Sequence, residues 1–272
     1  MKGSMTLGIL IALVLGIIPA YGEKLVQRES SLAKAPLPWE ESLERRVPET
    51  TGLINLGEQI FRVACLYCHG KRGEGDGRAV RYLFTKPRDF TSGKFKVRTT
   101  PSGSLPTDED LFRTITHGFP EYRMPPFRYL TAKERWALVY YIKTLSPPFK
   151  ERDPDKPIDI GKEPPVTADL ISQGETLYNE AECWKCHGKE GRGDGPSAPE
   201  LKDDWDNPMR LLDFRQGDQL FRGGARARDI IRTILTGMMG TPMPSYADAL
   251  TTEQAWALAV YIEHITKKGE ER

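Results

Sequence analysis

Three apolar-periodic runs recur along the chain, and each occurs twice. Trp136, Val139, Tyr140 and Ile142 follow Thr131-Ala-Lys-Glu134, and Trp256, Leu258, Val260 and Ile262 follow Thr251-Thr-Glu-Gln254. A threonine with Glu or Gln three residues later is a capping box, so both runs are predicted to be helices opening at those threonines. A second helix in each copy ends at Gly118 or Gly237, where glycine can close the last turn. A third precedes each of two cysteine pairs and contains Gly57 or Gly174. No alternating apolar and polar stretch marks a strand, so the predicted fold class is all-α.

The copies keep nearly constant spacing. A shift of 118 residues lays Cys65-His69-Gly70 on Cys183-His187-Gly188, and Gly75-Asp76-Gly77 on Gly193-Asp194-Gly195. A shift of 119 lays Asp110–Ile115 on Asp229–Ile234, and a shift of 120 lays Thr131–Ile142 on Thr251–Ile262. Asp89-Phe90 answers Asp213-Phe214, with a longer loop before it in the second copy. The chain is a tandem duplication, with domains expected at 48–148 and 167–272. Between them, 149–166 belongs to a proline-rich, charged stretch that starts at Pro147-Pro148 and reaches Pro164-Pro165. Proline excludes helix interior and central strand, so an extended linker of limited flexibility is expected.

The first residues have a different character. Lys2 precedes an apolar run from Leu7 to Ile18, then Pro19-Ala20-Tyr21-Gly22. A basic start, a short apolar core and small residues before a cut site read as a secretory signal over 1–22. The rival is an uncleaved membrane tether. From Leu7 to Ala20 a helix would reach about 21 Å at ~1.5 Å per residue, short of a hydrocarbon core of roughly 30 Å. The expected location is therefore the periplasm or another exported bacterial compartment, with no stable membrane span after cleavage. An extension at 23–47, with Pro36, Pro38 and Trp39, has no partner in the second copy.

Composition excludes more than it assigns. With 272 residues, 39% hydrophobic and 28% charged, the chain is neither disordered, collagen-like nor a coiled coil. A net charge of +1 argues against nucleic acid as a partner. That total conceals an asymmetry: 48–150 carries 17 basic and 10 acidic residues, net +7, and 167–272 carries 13 and 18, net −5. Such charges suit steered encounters with two different partners, or packing of one domain on the other.

The four cysteines carry the chemistry. Cys65-Leu66-Tyr67-Cys68-His69 and Cys183-Trp184-Lys185-Cys186-His187 both have the c-type haem attachment pattern. Two thiols one helical turn apart match the span of the haem vinyl groups, and the following histidine lies beneath the iron. A redox dithiol needs no histidine. A shared zinc site or two disulfides would leave the repeated histidine unexplained. Two covalently bound haem c groups are expected, with His69 and His187 as metal ligands. For the second axial position, Met124-Pro125 and Met243-Pro244 align at a shift of 119. A soft thioether suits haem iron. Met238 and Met239 are rivals in the second copy, and His117 in the first. Arg88, Arg98 and Arg215 are either propionate partners or exposed surface charges.

These residues resemble the class I c-type cytochromes in a tandem dihaem arrangement. The resemblance rests on Gly-x-x-x-aromatic before Cys-x-x-Cys-His-Gly, a Met-Pro loop, and a last helix with tryptophan and tyrosine. It implies that Gly57 and Gly174 lie where first and last helices cross, and that a backbone carbonyl holds each ligand histidine. It also implies single-electron transfer rather than enzyme catalysis. The partners it implies are redox proteins: a membrane or periplasmic dehydrogenase, a reductase, an oxidase or another cytochrome. The alternatives are a permanent subunit of a multisubunit oxidoreductase and, with less support from the aligned methionines, a dihaem peroxidase.

Overall fold

The computed structural model describes residues 45–119, 122–216, 221 and 223–270. The expected signal over 1–22 and nearly all of the 23–47 extension lie outside the described residues. Those residues hold helices and short loops, with isolated bridges at Phe119–Met124 and Lys202–Pro208 in place of any strand.

In the first domain, α1 (Thr51–Ala64) leads into the one-turn α2 (Leu66–His69), followed by α3 (Asp108–His117) and α4 (Ala132–Leu145). After the short α5 (Pro148–Glu151), the second domain repeats the order with α6 (Ala168–Glu180), α7 (Trp184–His187), α8 (Ala227–Thr236) and α9 (Thr252–Glu270). Thr131 opens α4 with a reciprocal cap: its hydroxyl accepts from Glu134 N, and the Glu134 carboxylate accepts from Thr131 N at 2.7 Å. Thr251 and Gln254 repeat this at α9. Gly118 and Gly237 close α3 and α8 at φ of 63° and 66°.

First and last helices pack together in each domain, α1 on α4 and α6 on α9. The crossing depends on two glycines. A Cβ on Gly57 would strike the Ala137 carbonyl and lie 2.8 Å from Tyr141 Cβ; one on Gly174 would strike the Ala257 carbonyl and lie 2.6 Å from Tyr261 Cβ. The helix backbones therefore approach more closely than any side chain allows. Around the first crossing, Ile60, Phe61, Phe112 and Trp136 are buried, with Phe112 and Trp136 stacked at 4.5 Å between centroids. Tyr178, Ile231, Trp256 and Leu258 fill the second core.

The linker departs from expectation at its start. Pro148–Glu151 forms a helical turn, because proline at the first helical position lacks only an N–H that the helix could not use. Phe149 of that turn packs edge-on to Phe95 in the first core. Beyond it the chain is extended and tied to both domains: Ile158 N donates to Thr99 O at 2.8 Å, and Trp256 Nε1 donates to Ile160 O at 2.6 Å. Just ahead of the first domain, Arg46 pairs with Asp108 and Glu109, and Val47 O accepts from the Tyr140 hydroxyl.

Candidate functional site

Each domain encloses a largely apolar cleft, ≈1210 Å³ in the first and ≈1200 Å³ in the second including the open mouth. The first is lined by Cys65, Cys68, His69 and Met124; the second by Cys183, Cys186, His187 and Met243. Residues 55 or 56 positions apart in sequence thus line one cavity. The short helices α2 and α7 place both thiols and the imidazole on one turn.

Loops from elsewhere fix that turn. Gly75 N donates to His69 O at 2.9 Å and Gly77 N to Cys68 O at 3.1 Å; Gly193 and Gly195 make the same two bonds to His187 and Cys186. The Gly-Asp-Gly repeat therefore serves carbonyls that a one-turn helix leaves without partners. Phe90 stacks on His69 at 4.5 Å and Phe214 on His187 at 4.8 Å. Sequence reasoning matched these phenylalanines as a repeat without giving them a role. Burial pushes both imidazoles down to about 4, so each ring is neutral at ordinary pH and its lone pair is available to a metal. Burial also pushes the Cys65 thiol up to about 12 and Cys183 to about 11.

The methionines stand in matching loops. Phe119 N donates to Met124 O at 2.8 Å and Met124 N to Phe119 O at 3.1 Å, while Met238 N donates to Met243 O at 3.1 Å. Met238 also lines the second cleft, as does Met209, a methionine the repeat pattern did not single out because it lies in the longer loop. Met239 contributes its carbonyl to Arg88 instead, and His117 is not among the residues lining the first cleft.

The three arginines divide. Arg215 is partly exposed and ion-paired with Asp213 at 2.8 Å, away from the lining of either cleft. Arg98 lines neither cleft and is no surface charge: it is 1% exposed and donates to Pro101 O, Phe95 O and, across the domain boundary, Thr236 O at 2.5 Å. Arg88 lines the first cleft and has two further tasks. Its carbonyl accepts from His69 Nδ1 at 3.2 Å, which assigns the carbonyl that sequence reasoning left unplaced. Its guanidinium lies 4.6 Å over the Trp205 ring of the second domain and donates to Met239 O. In the second cleft, His187 Nδ1 is buried with no such partner.

Residues 171–266 match the family described as Cytochrome c, and residues 52–142 match Cytochrome C oxidase, cbb3-type, subunit III. Among solved structures, the chain is similar to one from the reducing HAO-like protein complex of Kuenenia stuttgartiensis, at 43% identity and a TM-score of 0.77. That likeness covers 81% of this chain and 99% of the other. No curated protein matches. The chain belongs to the c-type cytochromes, as two cytochrome c domains in tandem.

The clefts fit haem c on their own chemistry. Each is apolar, carries two thiols on one turn, and offers a neutral buried imidazole together with a thioether. In the first cleft the imidazole is also oriented by a carbonyl, the arrangement that fixes which nitrogen faces a metal.

Proposed function

We propose that the protein is a periplasmic dihaem cytochrome that passes single electrons between redox proteins, with His69 and Met124 ligating one iron and His187 and Met243 the other. The observation that carries this reading is the presence of one imidazole and one aligned methionine on the walls of each thiol-bearing cleft. Haem iron, when bound, supplies the one-electron change between ferric and ferrous states. The protein's own residues do the rest. Cys65, Cys68, Cys183 and Cys186 would hold the macrocycle covalently, Phe90 and Phe214 keep the imidazoles in plane, and the apolar walls exclude water, so that little rearrangement accompanies a change of charge. With His69 and Met124, or His187 and Met243, as its protein donors, a haem iron would keep no position for a substrate, which favours a carrier over a peroxidase.

The two clefts are also tied together. Arg98 to Thr236, Arg88 to Met239 and Trp205, and Tyr122 to Arg210 O at 2.9 Å all cross the boundary. Such ties support a relay within one molecule. A second reading, a subunit held in a larger oxidoreductase, is favoured by the similarity to a chain of a protein complex. Export rests on the basic and apolar start of the sequence; among the described residues no helix is long and apolar enough to cross a membrane. The test is an absorption titration of the reduced, exported protein with carbon monoxide. Two low-spin c-type haems that ignore the gas are expected. Rapid binding at one iron overturns the six-coordinate assignment and brings the enzyme reading forward.

A further inference from the structure

The duplication supplies an internal control for surface residues. Tyr67, Tyr82 and Phe84 are exposed by 56%, 73% and 65%, and Val63 by 43%, although a small domain gains stability by burying such side chains. Val63, Tyr67 and Tyr82 stand on adjoining elements, namely the last turn of α1, the thiol-bearing α2, and the 3₁₀ turn Arg78–Tyr82 that packs on α2, and Phe84 follows two residues after that turn. The next residues, Leu83, Thr85 and Lys86, line the first cleft, so this surface borders its mouth.

The second domain keeps the backbone and changes the side chains. Its 3₁₀ turn Ala198–Glu200 occupies the same place, and Leu201 lines the second cleft as Leu83 lines the first. There Lys185, Glu200 and Lys202 stand where the first domain has Tyr67, Tyr82 and Phe84. The fold therefore has no need of aromatic residues at these positions. Charge changes with them. Residues 62–86 carry six basic and two acidic side chains, net +4, whereas 180–204 carry four and seven, net −3. Lys71, Arg72, Arg78, Arg81 and Lys86 are exposed, and Arg81 lies 5.3 Å over the Tyr82 ring.

We infer that Tyr67, Tyr82 and Phe84, within this basic rim, form a docking surface for a second redox protein that presents an apolar contact ringed by acidic residues. The inference rests on the electron-transfer reading and adds a direction to it: the partner exchanges electrons at the first cleft, not the second. Aromatic side chains ringed by charges have the composition of an interface centre and its rim. The basic rim would steer an acidic partner and set its orientation.

The test uses the full chain in its native cell, with a photo-crosslinking amino acid at position 82 or at the equivalent position 200. Capture of one protein bearing a redox centre from position 82, and not from 200, is the expected result. The variant Y82E/F84K, which installs the second domain's residues and leaves the net charge of the rim unchanged, should slow electron exchange with that purified partner at least tenfold. Capture of a second copy of this chain, capture of a protein without a redox centre, no capture at 82, equal capture at both positions, or unchanged exchange in the variant overturns the surface. A wild-type chain lacking two low-spin haems overturns the function itself, and its absorption spectrum separates that failure from the others.

Discussion

The two domains share their helices and differ in what lies between them. Both cross first and last helices at a glycine, both stack a phenylalanine on the histidine of the Cys-x-x-Cys-His motif, and both tie a Gly-Asp-Gly loop to the thiol-bearing turn. They part after that loop. From Asp76 to Asp89 the first domain takes a short route, and from Asp194 to Asp213 the second is six residues longer. The added length carries Asp203, whose carboxylate accepts from Asn207 N, and Trp205, which meets Arg88 and Lys94 of the first domain. Lys94 also pairs with Asp204. Repeated parts supply the thiols, imidazoles and aligned methionines of the clefts, and the insertion adds contacts that join the halves. At Lys94 and Asp204 the opposed domain charges meet at the boundary.

The methionines give the sharpest way to break this comparison. Among the described residues Met124 is the one methionine lining the first cleft, whereas Met209, Met238 and Met243 all line the second. Met124→Ala should convert one haem fully to a high-spin, carbon monoxide-binding form, and Met243→Ala should retain a substantial low-spin fraction. Equal responses in the visible spectrum would show that the extra sulfur atoms cannot reach the iron.

The glycine crossings should instead respond alike. Gly57→Val and Gly174→Val each force a side chain into a neighbouring helix backbone, and each should cost about 3 kcal/mol, read by chemical denaturation. A difference between them would mean that one crossing can relax. Arg98→Ala tests the join. It removes a buried cation that spans the boundary and leaves Thr236 O without its donor, at a cost of about 2 kcal/mol. The expected sign is a single thermal transition splitting into two in calorimetry.

The last effect concerns pH. His117 has Thr236 as its repeat partner, so only the first domain carries it. Burial, helped by the charges of Arg128, Arg135, Arg113 and Arg232, lowers it from 6.5 to about 4. The unfolded chain therefore binds a proton near pH 6.5 that the folded chain refuses until about 4, and stability falls as pH drops through that window. His117→Thr should flatten the slope of first-domain stability between pH 6.5 and 4. An unchanged slope would place the acid sensitivity elsewhere.

Much of the site was legible because it is local. Cysteines two residues apart with a histidine next, a threonine three residues before Glu or Gln, and a glycine after a helix all act within one turn. The repeat extended that reading to the aligned Met-Pro loops. Arg98 was misread because its meaning depends on Thr236, 138 residues away, and its sequence surroundings resemble an exposed basic loop. The helical turn at Pro148 was missed for a local reason: proline forbids helix interiors and not helix starts.

The sequence alone determined the helical class, the duplication and the two Cys-x-x-Cys-His motifs, since all follow from residue type and short-range spacing. The tertiary structure decided that the Arg88 carbonyl orients His69 while His187 lacks an equivalent partner, that Met209 and Met238 line the same cleft as Met243, and that the longer loop of one copy reaches the other. These outcomes depend on which distant backbone segments come within about 3 Å of each other, and only packing of the whole chain sets that.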